Sequence, residues 1–208
     1  MARWRWIKEA GDRIGAAVLL ALLAPVMALT AVAVFVTMGR PVVFRQRRPG
    51  LGGRCFTVLK FRTMSEPASE DGRPSDDAAR LTPLGRFLRK SSLDELPQLV
   101  NVLKGEMSFV GPRPLLEHYL PLYTEEQAQR HLVKPGITGW AQVNGRNEVG
   151  WDERLALDVW YVKNWSLALD LRILLMTVRR VVSGSGTSAE GHATMPEFTG
   201  SPPRGGSS

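Results

Sequence analysis

Two adjacent acids, Asp94 and Glu95, sit in the stretch SSLDELPQ (91–98), where a helix start is expected. Two readings fit them. As a capping box, Ser92 accepts a bond from the amide three residues on, while Glu95 reaches back to the Ser92 amide. Asp94 is then one more first-turn acid, favoured there by the helix dipole. As a reaction centre, the pair stands among cations: Lys60 and Arg62 in KFRTM, Arg86, Arg89 and Lys90 just upstream, and Arg113 in the PRP turn (112–114). Alternate positions of a strand share a face, and cations around a helix N-terminus make a phosphate site. Paired carboxylates beside such a site suit Mg²⁺, which uses one or two acids plus substrate phosphates. Acids, arginines and a metal together point to phosphoryl-group chemistry on a diphosphate.

The elements that must position these residues are legible in outline. Val42–Phe44 and Cys55–Phe61 read as strands of a hairpin turning at Pro49–Gly53. Residues 65–80, polar and rich in Ser, Pro and Asp, read as a mobile loop. Helices are expected over Leu81–Leu88, over Leu93–Leu103 behind the Ser92 cap with Gly105 as the stop, and over Leu115–Leu132 with an interruption at Pro121. VGPRP (110–114) cannot be helical, because prolines at 112 and 114 lack the needed N–H groups. KPGITGWAQVNGRN (134–147) reads as a Gly-rich loop with short extended pieces. Helices are expected again over Asp152–Tyr161 and, capped by Ser166, over Leu167–Val182. That last one mixes Leu, Ile, Met and Val with Arg172, Arg179 and Arg180, and suits either the core or a membrane interface.

Residues 14–38 carry no charge. At 1.5 Å per residue such a run reaches roughly 37 Å, more than a bilayer's ~30 Å hydrocarbon core requires. It is too long for a signal peptide, and Arg40, Arg45, Arg47 and Arg48 follow it. Basic residues flank it on both sides, and short basic segments stay in the cytoplasm. A re-entrant helix broken at Ala24–Pro25 keeps both flanks on that side, since Pro25 removes a helix bond and clashes at the Ala21 carbonyl. A kinked spanning helix is the alternative.

The bulk numbers narrow the classes. At 208 residues the chain suits one domain. Lys and Arg number 27 against 20 Asp and Glu, which suits phosphorylated substrates, anionic lipid or nucleic acid. The single cysteine, Cys55, excludes an internal disulfide, and the three histidines lack metal-pair spacing. Neither an aromatic stacking platform nor a recognition-helix motif accompanies the arginines, which argues against nucleic acid.

Read together, Lys8…Asp12, PVVFRQRRPGLGGRCFTVLKFRTM, LRKSSLDELPQLVNVLKGEMSFVGPRP, KPGITGWAQVNGRN and LDVWYVKNWSLALDLRIL give a sequence that resembles the small monotopic phosphoglycosyl transferases, the bacterial sugar-transferase family. The resemblance runs from about Ile7 to Val182. It implies an α+β, mostly helical protein. A re-entrant membrane helix (1–40) leads into a small β-hairpin and amphipathic interfacial helices, packed as one cytosolic domain (41–182) on the cytoplasmic face of the bacterial inner membrane. Residues 183–208, rich in Gly, Ser and Pro, are expected to be a disordered tail.

The resemblance also implies the reaction: a sugar 1-phosphate passes from a UDP-sugar to polyprenyl (undecaprenyl) phosphate, releasing UMP. Asp94 matches the family's nucleophile and Glu95 its Mg²⁺-associated neighbour. Arg89 and Arg113 match positions around the phosphates and nucleotide. Lys60, Arg62, Asp158 and Asp170 match motif positions whose roles are less defined. From its ordinary pKa of ~3.9, Asp94 is expected to be ionised at neutral pH without a separate base. One departure stands out, Ala24 where the family often has serine before the proline. Membrane lipid and downstream glycosyltransferases are the further partners implied, with a homo-oligomer left open. A catalytically silent membrane scaffold is the competing reading, and it needs only the cap.

Overall fold

The computed structural model describes residues 2–65, 80–145, 150–183 and 197–201. Helix α1 (Ala2–Met38) leads the chain, and the uncharged run forms most of it. Helical residues continue through Pro25, so the interruption expected at Ala24–Pro25 does not appear as a gap in the helix. A proline inside a helix removes one hydrogen bond, to the carbonyl four residues back. One face of α1 is apolar and exposed, including Ile14, Leu22, Leu29, Val32 and Val36, while Ala16 and Val34 on the other face are fully buried.

The hairpin forms as expected, with its first strand running on past Phe44 to Pro49. Strands β1 (Val43–Pro49) and β2 (Cys55–Phe61) pair antiparallel, with Lys60 opposite Phe44 and Val43 opposite Phe61. The loop expected at 65–80 falls on 66–79, outside the described residues. Helix α2 (Pro83–Lys90) has Pro83 at its first position and Thr82 as its cap, accepting from the Gly85 amide. Any side chain at Gly85 would meet the Thr63 carbonyl at 1.9 Å, so glycine is what lets α2 lie against the end of β2.

The helix expected from Leu93 to Leu103 is divided. Leu93–Glu95 form a single 3-10 turn, and α3 (Gln98–Lys104) begins after Pro97. Asn101, with no exposed surface, locks α3 to β2: its amide donates to the Thr57 carbonyl (2.7 Å) and Glu106 (2.7 Å), and its oxygen accepts from Leu59 N (3.1 Å). This fully bonded buried amide sets the strand that bears Lys60 against the segment that bears the two acids.

Strands β3 (Ser108–Val110) and β4 (Gly136–Thr138) pair in parallel. A Cβ on Gly136 would meet Gly111 N at 2.1 Å, so two glycines permit the contact that seats the PRP turn, where Gly136 N donates to the Pro112 carbonyl (3.0 Å). The helix expected over 115–132 is mostly 3-10: Glu117–Leu122 and Gln129–Leu132 flank the four-residue α4 (Glu125–Ala128). Pro121 and the capping box of Thr124 with Gln127 break it up. A short α5 (Trp140–Asn144) stands in the stretch expected to be a Gly-rich loop.

Helices α6 (Trp151–Asn164) and α7 (Leu167–Ser183) match expectation, with Ser166 accepting from Leu169 N (3.1 Å) as the cap of α7. Leu167, Leu171, Leu175, Val178 and Val181 make an exposed apolar stripe along α7. The amino end of α1 docks nearby, where Lys8 reaches Asp170 (2.6 Å) and Glu9 reaches Lys134 (3.1 Å).

The tail departs from its expectation. Residues 197–201 pack on the domain, and Phe198 is 2% exposed in a cluster with Leu115, Tyr119 and Leu155. Composition misses this because one aromatic ring, well placed, suffices to dock a short segment. The rest of the expected tail lies outside the described residues.

Candidate active site

Ser92 does not cap. It adopts a left-handed conformation (φ 57°) and its side chain makes no cap bond. Glu95, freed from any reciprocal cap, is gripped by two cations on one oxygen: Lys60 Nζ donates at 2.6 Å and Arg113 Nη2 at 2.7 Å. Lys60 comes from β2, Arg113 from the rigid PRP turn, and Glu95 from the 3-10 turn. Three separate segments therefore converge on one carboxylate.

Asp94 is treated differently. It is 7% exposed, and among the described residues none donates a hydrogen bond to its carboxylate. Burial and the neighbouring charge of Glu95 push its pKa up to about 6, against the pull of Lys60, Arg113 and Arg89. This corrects the expectation of an ordinary carboxylate. Burial acts on Glu95 too, but Arg113 and Lys60 outweigh it and bring its pKa down to about 2. Burial and Arg113 lower the pKa of Lys60, whereas Glu95 raises that of Arg113. One acid is thus neutralised by cations, and the other is a desolvated carboxylate with its lone pairs available.

The remaining expected site residues divide into groups. Arg89 lies at the rim of this cluster, its Nε donating to Thr63 Oγ1 (3.1 Å). Arg62 is buried and donates to the Arg40 carbonyl (3.0 Å), which braces the exit of α1. Asp158 stands one layer behind: Arg130 binds it through Nε (3.1 Å) and Nη2 (2.7 Å), and the same Nη2 donates to the Arg113 carbonyl (2.7 Å). Asp170 is away from the dyad, accepting from Lys8 (2.6 Å), Tyr161 (2.7 Å) and Trp165 (3.1 Å). It anchors α1 to the domain.

Sequence reasoning missed Arg130 and Arg48. Burial and the charge of Arg113 bring the Arg48 pKa down to about 10, which places one more cation beside the PRP turn. The dense RQRR run was the available signal for Arg48; Arg130 had none.

Asp94 and Glu95 are the carboxylates of this cluster that could hold a divalent cation. No group of three or more His, Cys, Asp or Glu side chains able to hold a metal occurs among the described residues. A cation there would take one or two carboxylates from the protein and its other ligands from phosphate and water, the manner in which Mg²⁺ is usually held.

The chain is similar to known proteins over nearly all of its described part. An uncharacterized sugar transferase, EpsL, of Bacillus subtilis (strain 168) is 53% identical over 195 residues, covering 94% of this chain and 96% of the relative. Several relatives bear the name UDP-glucose:undecaprenyl-phosphate glucose-1-phosphate transferase. The one from Caulobacter vibrioides is 44% identical over 185 residues, covering 82% of this chain and 68% of its own length. That of Xanthomonas campestris pv. campestris is 45% identical over 194 residues, covering 84% of this chain but 38% of its own. The chain therefore spans nearly the whole Bacillus relative and well under half of the Xanthomonas one. A family model described as bacterial sugar transferase matches residues 3–184, from the first turns of α1 through the dyad to the end of α7. Matched along that length, and alike in sequence to proteins that share the description, the chain belongs to the bacterial sugar transferase family, of the phosphoglycosyl transferase type.

Proposed function

We propose that this protein transfers a sugar 1-phosphate from a UDP-sugar to polyprenyl phosphate, through a phosphosugar ester on Asp94. The names of the relatives support the overall reaction. The single observation that carries the residue assignment is the division within the dyad: Lys60 and Arg113 both hold Glu95, and Asp94 beside it is buried without a hydrogen bond from the described residues.

The chemistry follows from that division. An Asp94 oxygen attacks the phosphorus that bears the sugar, forming an acyl phosphate as the bridging P–O bond breaks and UMP leaves. The polyprenyl phosphate oxygen then attacks the same phosphorus, expelling the Asp94 carboxylate and giving polyprenyl diphosphate sugar. With a pKa near 6 the carboxylate is ionised at neutral pH, and its poor solvation leaves it less shielded than an exposed acid. Arg113 and Arg89 grip phosphate oxygens, and Lys60 keeps Glu95 charged and in place. Mg²⁺ held by Asp94 and Glu95 would offset the negative charge of the diphosphate.

The membrane arrangement belongs to the same proposal. Ala16 is buried with Val58, Val102 and Met107, and Val34 with Phe61 and Leu88, so the helix meets the catalytic domain near both ends of its apolar run. Those two positions are separated by roughly 27 Å of helix, close to the thickness of the hydrocarbon core. A helix crossing the bilayer would carry them to opposite surfaces, and one domain could not bury both. That packing supports the reading in which the helix enters and leaves on the cytoplasmic side, with the apolar stripe of α7 lying in the interface.

The test is a screen for UMP release across UDP-sugars, with undecaprenyl phosphate and Mg²⁺ in nanodiscs. Release with one or a few sugars, dependent on Asp94, is expected. No release with any would overturn the proposal.

A further inference from the structure

The segment 197–201 returns to the domain at one particular place. The Phe198 ring stacks on Tyr123 (5.7 Å between centroids, 28°) and meets Tyr119 edge-on (5.5 Å), while Trp151 lies 5.4 Å away. The Phe198 amide donates to the Tyr119 hydroxyl (3.2 Å). Ser201 anchors the far end, accepting from Gln127 (2.6 Å) and donating to Asp152.

Behind that aromatic cluster stand the cations of the phosphate site. The Tyr123 hydroxyl accepts from Arg130 Nη1 (3.2 Å), and the Arg130 guanidinium lies 5.6 Å from the Tyr123 ring centre. Arg130 holds the Arg113 carbonyl, and Arg113 holds Glu95. A continuous series of contacts therefore runs from Phe198 through Tyr123, Arg130 and Arg113 to the dyad.

Resting on the function proposed above, we infer that the segment 197–201 is part of the phosphate site, with Phe198 a positioning residue that fixes Arg113 through Tyr123 and Arg130. The physical reason is confinement. Arg130 is 2% exposed and needs its partners in fixed places, because a buried guanidinium left short of acceptors is costly. Phe198 closes the outer side of Tyr123, so the ring cannot turn away and the Arg130 bond is kept. Without Phe198, Tyr119 and Tyr123 face water, the Arg130 fork loses its stop, and the PRP turn gains freedom. Arg113 then spends part of its time away from the diphosphate.

The measurement is steady-state UMP release against UDP-sugar concentration, at a temperature well below unfolding, for wild type, Phe198→Ala, Tyr123→Phe and the double variant. Ser201→Ala, a milder loosening of the same segment, stands in if Phe198→Ala does not fold. The inference predicts that Phe198→Ala or Ser201→Ala raises KM several-fold with a smaller change in kcat. Tyr123→Phe should do likewise, and the double variant should be no worse than the more impaired single, since both act along one route. A tail that serves only stability would lower the unfolding temperature and leave KM where it was. Unchanged KM, or losses that multiply in the double variant, would overturn the inference while leaving the function intact. A wild type that releases no UMP would overturn the function proposed and this inference with it.

Discussion

Asp94 and Glu95 are neighbours in the chain, yet their environments drive them apart: the carboxyl of Asp94 is pushed up to about 6 and that of Glu95 is held down at about 2. The separation comes from direction. The 3-10 turn aims Glu95 at Lys60 and Arg113, and it leaves Asp94 buried beside them with neither. A surface cap would leave both acids solvated.

This arrangement costs stability, which gives the first prediction. In the unfolded chain Asp94 titrates near 4; in the folded protein it does so near 6. The folded state therefore holds more protons between those values, and the Asp94 contribution makes the protein less stable as pH rises through them. Above that window the deficit is about 2–3 kcal/mol. With EDTA present to remove metal, Asp94→Asn should unfold several degrees above wild type at pH 7.5 and at the same temperature at pH 4. A lower midpoint at pH 7.5 would mean that Asp94 is a structural acid.

Arg113 gives the second. Lysine retains its charge but not the planar fork that can hold Glu95 and still present N–H groups to a phosphate. Arg113→Lys should lower kcat/KM for the UDP-sugar by about tenfold or more, while the exposed Arg45→Lys should leave it within about twofold. Similar rates for the two variants would reduce the PRP turn to a structural corner.

Topology supplies the third. In a Cys55→Ser background, cysteines at the exposed positions Ala10 and Arg45 should both be shielded from an impermeant thiol reagent in intact cells. Both should react once the membrane is opened. Labelling of one alone in intact cells would establish a crossing and remove the same-side arrangement.

How far the sequence carried these conclusions varies by element, for a physical reason. Local patterns report local structure, so the hairpin, α6, α7 with its Ser166 cap, and the apolar run of α1 were all legible. The dyad and its cations were legible as residue types, and their meeting at Glu95 depended on Lys60 being set opposite Phe44 and locked by Asn101. The Ser92 cap was misread because S-x-x-E spacing fits both a helix start and a turn bent by Pro97; only the left-handed Ser92 distinguishes them. Lys60 and Arg62 share strand parity, but parity does not choose partners: Lys60 reaches Glu95, while the Arg62 guanidinium reaches the Arg40 carbonyl. The Arg130–Asp158 pair and the docking of Phe198 join segments far apart in the chain, and no spacing rule encodes such contacts. The one aromatic residue in a Gly-, Ser- and Pro-rich tail was the available hint.

Whether Asp94 is the nucleophile is tested most directly by intact-protein mass after mixing enzyme with UDP-sugar and Mg²⁺ in the absence of polyprenyl phosphate. An enzyme ester predicts a mass increase of one phosphosugar per active molecule, a matching single release of UMP, and loss of the added mass when polyprenyl phosphate is supplied. Asp94→Asn should show neither the added mass nor the release, and Glu95→Gln should form the adduct far more slowly. Turnover by Asp94→Asn near the wild-type rate, or wild-type turnover that requires both substrates at once with no adduct at any time, would contradict the account.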